Sequence, residues 1–223
     1  MHIYRCMLTL QENLYYATRE MGTLYETGRY LHNYALSYAL FHDSRMAMPY
    51  FCTSYRPSYA ADLAQLSQAG IYVTPAQPLQ VDYLFATWKI GQVGYFRMSE
   101  QFGGRNYPAN IGRAKELAPE STFCCYVLST TPLRIPRWVR MGKWHSKLLI
   151  ESEELALREA RGSYVAATPL NPLDVPAGVL HAFDIISMPP VSLVANARCA
   201  GPHYVTATGQ GLPSGMVYSV PAS

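Results

Sequence analysis

The sequence predicts an α+β fold on three observations. Residues 3–10 alternate, with Tyr4, Cys6, Leu8 and Leu10 on one face and Ile3, Arg5, Met7 and Thr9 on the other, the period of a half-buried strand. From Glu26 to Phe41, Tyr30, Tyr34, Tyr38 and Phe41 recur at helical spacing beside Leu31, Ala35 and Leu36, which is an amphipathic helix with an aromatic stripe. The second half carries short β-rich runs separated by prolines and glycines, with no long helical period.

Taken in order, the first strand and the striped helix are followed by MPYFCTSYRPSY, whose two prolines make it a connection. Ser58 can then cap a helix running through Gln68, with Gly70 closing it. Ile71–Thr74 and Val81–Trp88 read as strands. Residues 95–119 mix Gly, Pro, Asn and Arg without a period, which predicts a long loop. Thr122–Ser129 is a strand by composition, and Trp138–Met141 and Lys147–Glu151 add two more around a turn at Gly142. Glu151–Arg161 reads as a short helix capped by Ser152, with Glu154 placed four residues before Arg158. ATPLNPLDVPAG is a loop and MPPVSLVAN a bend, and short strands at Tyr204–Thr208 and Met216–Val220 flank TGQGLPSG.

At 223 residues the chain is long enough for a substantial core, and one domain spanning 1–223 is the expectation. Charged residues are 15% of the chain, below the usual quarter, while apolar residues are 49% and tyrosines number 18. A chain so poor in charge is expected to bury surface against partners. Between Arg97 and Lys147 nine Lys/Arg face three acids, so +6 of charge sits there against −3 elsewhere. Such local basic charge suits a nucleic-acid groove. The five cysteines form no C-x-x-C pair and read as reduced cytosolic thiols, with neither a disulfide frame nor a zinc site. The opening residues lack the apolar region of a secretory signal, and no run reaches the length of a membrane span, so the expected compartment is the cytoplasm and no membrane partner is expected.

The densest chemistry lies in LRIPRWVRMGKWHSK, which sets Arg134, Arg137, Arg140, Lys143 and Lys147 among Trp138, Trp144 and His145. No Asp or Glu occurs between Glu120 and Glu151 to neutralise these cations locally. Phosphates take the charge and bases stack on the rings, so the pattern suits RNA or single-stranded DNA. Pro136, β-branched Val139 and Gly142 argue against a helix. On an extended chain, Arg134 and Arg140 then share one side, and Arg137, Lys143 and Lys147 the other. A second basic region holds Arg97, Arg105, Arg113 and Lys115 among Tyr95, Phe96, Phe102 and Tyr107, with glycines that let a backbone approach phosphates. It lacks the G-K-[ST] of a Walker loop. Tyr15, Tyr16 and Arg19, after the first strand, are further candidates for contact, whereas Tyr30, Tyr34 and Tyr38 read as core.

For catalysis the sequence is thin: it has no G-x-S-x-G, no H-E-x-x-H and no acidic cluster with metal spacing. No metal or cofactor is expected. His42–Asp43 reads as a helix-end feature. Lys143 and His145 with a nearby tyrosine form the one arrangement able to supply the base and acid of metal-free RNA cleavage.

Over essentially its whole length the chain resembles the Cas-five group of RAMP proteins, in particular the small subunit of type I-D CRISPR surveillance complexes (Cascade). The resemblance rests on IYRCMLTLQENLYYATREMGTLYETGRYLHNYALSYAL, NIGRAKELAPESTF, VRMGKWHSK, PLNPLDVP and ISMPPVSLVANA. It implies a ferredoxin-like, RNA-recognition-motif βαββαβ core with β-rich insertions, residues of about 89–151 forming the basic loop-and-strand insertion. It further implies a non-catalytic subunit that caps the 5′ handle of the CRISPR RNA (crRNA). The implied partners are a Cas-seven-like backbone subunit, a Cas-ten-like large subunit and target DNA near the protospacer-adjacent motif (PAM). Arg140, Gly142, Lys143 and Lys147 match the family's basic strand-turn-strand, and Gly112, Arg113 and Lys115 its middle motif. The candidate RNA-binding set is therefore Arg19, Arg105, Arg113, Lys115, Arg134, Arg137, Arg140, Lys143, Trp144, His145 and Lys147. Gly209, Gly211 and Gly215 are a loose counterpart of a C-terminal glycine-rich loop. Some type I-C relatives cut repeat RNA with a tyrosine, a lysine and a histidine, so an endoribonuclease using Lys143 and His145 is the alternative.

Overall fold

The computed structural model describes residues 1–42, 58–90, 110–156 and 158–220. Its first strand, β1 (His2–Leu10), lies where the alternation places it, and Cys6, Leu8 and Leu10 are fully buried. β1 is central in a six-stranded sheet with β4 (Ile71–Val73), β5 (Gln77–Gln80), β8 (Thr122–Ser129), β9 (Trp138–Met141) and β10 (Ser146–Glu154). The order is β4-β8-β1-β10-β9, with β5 also on β8, and every pairing is antiparallel. On one side Tyr4, Cys6, Leu8 and Leu10 pack with Leu36 and Leu40 of α1 (Asn33–Phe41) and Leu63 and Leu66 of α2 (Tyr59–Gln68). On the other, Ile3, Tyr126 and Leu128 meet Tyr164, Ala197 and Cys199 of a sheet built from β11 (Arg158–Val165), β12 (Leu180–Ile186), β13 (Leu193–Val205) and β14 (Gly211–Pro213). A third sheet, in the order β2-β3-β7-β6, joins β2 (Arg19–Met21), β3 (Leu24–Glu26), β6 (Tyr83–Ile90) and β7 (Asn110–Leu117).

The fold is thus mixed α/β and rich in strand. Both described helices fall between β1 and β4, and the stretch from β8 to β10 holds β9 in place of the second helix that βαββαβ requires. The segment expected as an insertion is divided: β7 joins the third sheet, while β8, β9 and β10 build the central one.

Several local expectations are corrected. The striped helix begins at Asn33, not Glu26, because Leu24–Glu26 pairs as β3 with β7 and with β2 around Gly22, whose φ of +59° suits the tight turn. His32 caps α1: its Nδ1 accepts the Tyr34 N–H at 3.1 Å, which leaves Nε2–H to donate to the Val191 carbonyl at 3.0 Å. Burial pushes this imidazole down to about 4, so it is neutral near pH 7. Residues 151–154 and 158–161 are strand, because β10 stays in register with β1 as far as Tyr4 opposite Glu154 and β11 pairs with β13. Cross-strand partners there outweigh helical spacing. Asn110–Leu117 is strand, not loop, and Leu180–Ile186 is a strand the sequence reading missed. Residues 216–220 form no strand: Val217 and Ser219 donate their N–H groups to the carbonyl and carboxylate of Asp174.

Asp174 ties the two cores together. Its buried carboxylate accepts from Asn33 Nδ2 at 2.8 Å, the Tyr72 hydroxyl at 3.0 Å and the Ser219 N–H at 2.8 Å. Burial nevertheless pushes it up to about 6, with those hydrogen bonds pulling the other way. Because the folded-state value lies above the unfolded one, the associated stability is complete below pH 4 and is lost as pH rises through 6. In urea unfolding, Asp174→Asn is expected to remove a fall of about 2–3 kcal/mol between pH 4 and pH 7 that the native chain shows. Identical pH profiles for the two proteins would contradict this.

Candidate nucleic-acid interface

The β9–β10 hairpin gathers most of the basic and aromatic candidates. Arg140 lies opposite Lys147 and Trp138 opposite Leu149, so all four share one face, while Val139, Leu148 and Ile150 point into the core. This corrects the expected division of cations. The four-residue turn from Gly142 to His145 reverses the chain and brings Lys147 to the side of Arg140. Trp138 is 52% exposed, and its ring has the Arg140 guanidinium carbon at 6.0 Å and the Lys147 Nζ at 5.7 Å. An exposed indole beside two cations offers a stacking surface with phosphate partners at its edge.

The turn is seated on residues 11–16. Lys143 N–H donates to the Tyr15 carbonyl at 2.9 Å, Ser146 Oγ donates to the Asn13 carbonyl at 2.5 Å, and Gln11 N–H donates to the Lys147 carbonyl at 2.9 Å. Gly142 (φ +77°) and His145 (φ +54°) make the reversal, with the Arg140 guanidinium donating to the His145 carbonyl at 2.8 Å. Trp144 packs on Tyr15 with ring centroids 5.2 Å apart, and the Lys143 Nζ lies 5.8 Å from the Tyr15 ring. Burial raises the Tyr15 phenol, helped by nearby Tyr25, Glu20 and Glu116. Arg134 and Arg137 are exposed on the approach to β9.

One acid escaped the sequence reading. Glu12, two residues past the end of β1, lies 3.6 Å from Arg140 and accepts the Lys147 N–H at 3.0 Å. It is distant in sequence and close only through the pairing of β1 with β10. No signal in the basic segment itself could have found it.

The second group stands apart. Register places Arg19 opposite Glu26, Glu26 beside Lys115 and Lys115 opposite Phe85, so these share one face of the third sheet, and Arg113 lies on the same face. That is the face opposite Glu20, Tyr25 and Glu116, whose charges help raise the Tyr15 phenol. Lys115 is paired with Glu26 at 2.7 Å and lies 4.1 Å from the Tyr83 ring, whereas Arg113 and Arg19 are exposed. Arg97, Arg105 and the glycine-rich stretch between β6 and β7 lie outside the described residues, as does Asp43 of the His42–Asp43 pair. Among the described residues no group of three or more His, Cys, Asp or Glu is placed to hold a metal ion, and no helix is long and apolar enough to cross a membrane.

A strand-rich α/β protein with an exposed basic hairpin and flanked tryptophans is of the kind that can hold a polyanion. Comparison with known families makes the assignment specific: residues 1–221 match the family described as type I-D CRISPR-associated protein Cas5/Csc1, and the chain belongs to that family. Among solved structures it is similar to a chain of the type III-B Cmr-beta complex bound to cognate target RNA and AMPPnP, at 9% identity and TM-score 0.49, covering 88% of this chain and 86% of that one. It is also similar to a CRISPR protein from Archaeoglobus fulgidus, at 9% identity and TM-score 0.46, covering 96% and 99%. No curated protein matches the sequence.

Proposed function

We propose that the chain is a non-catalytic, cytoplasmic RNA-binding subunit of a type I-D CRISPR interference complex. In this reading the β9–β10 hairpin grips the 5′ handle of the crRNA, beside a Cas-seven-like backbone subunit and a Cas-ten-like large subunit at the PAM end of the target. The observation that carries it is Trp138, exposed between Arg140 and Lys147 on a hairpin that residues 11–16 hold in place. Family membership supplies the setting. The central sheet order β4-β8-β1-β10 supports a ferredoxin-like ancestry in which the β9 hairpin replaces the second helix.

The test is binding of single-stranded RNA carrying the handle sequence by the purified chain, against a scrambled RNA of equal length. Phosphate contacts should hold both, with an excess for the handle from the rings. Failure to bind either RNA ends the proposal. The non-catalytic part predicts that repeat RNA stays intact on long incubation without metal, and cleavage abolished by His145→Ala would overturn it. The raised Tyr15 phenol, packed under Trp144 and Lys143, supports a positioning role for that tyrosine.

The two cations of β7 should contribute unequally. Lys115 already answers Glu26, so Lys115→Met should lower RNA affinity less than two-fold, while Arg113→Ala should lower it about three- to five-fold. Filter binding of the two variants checks this, and the reverse order would contradict it.

A further inference from the structure

The same hairpin forms one wall of a cleft of about 390 Å³ whose other walls are α1, Tyr59 and the Met188–Pro190 turn. Arg140 and His145 line it from the hairpin, half-buried Tyr38 and exposed Ala35 from α1, and Tyr34 is buried beneath. The polar tips of several lining rings are engaged with protein. Tyr38 donates its hydroxyl to Asp62 at 2.6 Å, Tyr16 donates to the Gly28 carbonyl at 2.8 Å, and both nitrogens of His32 are used within the fold. The cleft therefore presents ring faces, methionine and proline, with a guanidinium at its rim. From this geometry we infer that it takes one unstacked base of the single strand bound on the hairpin, by stacking and size and without reading the base edge.

Three features choose a base as the occupant. The volume lies at the low end of ligand sites, which suits one nucleoside and little more. The walls offer flat faces, and stacking tolerates any base because every base has a π-face. Arg140 belongs both to the hairpin face and to the cleft, so a phosphate held there leaves its base within reach of the opening. A cleft that measures area in this way favours purines over pyrimidines and treats adenine and guanine alike.

The inference rests on the reading of the hairpin as an RNA surface, and the experiment separates the two. Eight-nucleotide RNAs with one abasic site walked along the strand are titrated against the full chain and against Ala35→Trp, in which an indole on an exposed helix position fills the cleft. One abasic position should cost about ten-fold in affinity, far more than its neighbours, and this penalty should vanish in Ala35→Trp. At that position adenine and guanine should bind within two-fold of each other and about three-fold more tightly than pyrimidines. If every abasic position costs the same and Ala35→Trp binds as the native chain does, while Arg140→Ala still weakens binding, the base slot is wrong and the hairpin reading stands. If no RNA binds, both fall. If Ala35→Trp keeps RNA affinity but loses assembly with neighbouring subunits, the cleft belongs to a protein segment and the inference is overturned.

Discussion

Replacing Arg140, Lys143 and Lys147 together by alanine is expected to lower affinity for single-stranded RNA about 100-fold near 0.15 M salt and to flatten its salt dependence by about two units in slope. The three cations flank the exposed rings of Trp138 and Trp144, where a bound strand would place its phosphates. Each neutralised phosphate releases condensed counterions, and for single strands the slope changes by about 0.7 per contact, so three contacts give about two. Glu12 lies 3.6 Å from Arg140 and tempers its share, which makes Lys143 and Lys147 the larger contributors. Arg158→Ala, Arg161→Ala and Arg198→Ala combined remove the same formal charge from the exposed surface of β11 and β13 and serve as the control. An unchanged slope in the hairpin variant, or an equal change in the control, would contradict the assignment.

The second large effect is expected at Gly142. A Cβ there would stand 2.4 Å from Leu14 Cδ1 and 2.9 Å from the Tyr15 carbonyl oxygen, on a backbone with φ of +77°. The leucine methyl can swing aside. The carbonyl cannot, because it is backbone and accepts the Lys143 N–H at 2.9 Å. Gly142→Ala should therefore combine left-handed strain with displacement of the turn, costing about 2–4 kcal/mol and lowering the melting temperature by about 5–12 °C. RNA affinity should fall with it, since Lys143 and Trp144 ride on the same turn. Gly178 has φ of +79° and open space where a Cβ would go, so Gly178→Ala isolates strain alone and should cost about 1 kcal/mol with binding unaffected. Equal melting temperatures for the two variants would show that the turn is not clamped on Tyr15.

How far the sequence disclosed all this follows from the range of the forces involved. The strand at His2–Leu10, the helix closed by Gly70 and the Gly142 turn are local patterns, and each was legible where period or turn chemistry decides the outcome. Residues 151–161 were not, since Glu154 and Arg158 satisfy a helical rule while strands β1 and β13 offer those residues backbone partners. β7 carries NIGRAKEL, too polar to announce a strand, and is held by β6 on one side and β3 on the other. At the site, the residue types of the hairpin were legible and their arrangement was not. The pairing of Arg140 with Lys147 depends on the length of the turn, and the arrival of Glu12 and the capture of Lys115 by Glu26 are products of register between distant strands. The cleft under Arg140 was invisible for the same reason, its walls coming from α1, the hairpin and the Met188–Pro190 turn.

In the proposed function the β9–β10 hairpin is where guide RNA meets this chain. Photocrosslinking of the assembled complex with 4-thiouridine in the 5′ handle, followed by mass spectrometry of the linked peptides, tests it most directly. Crosslinks concentrated in residues 138–147, at Trp138 and Trp144 above all, are the result expected. Crosslinks confined to β11, β12 and β13, with none on the hairpin, would contradict it.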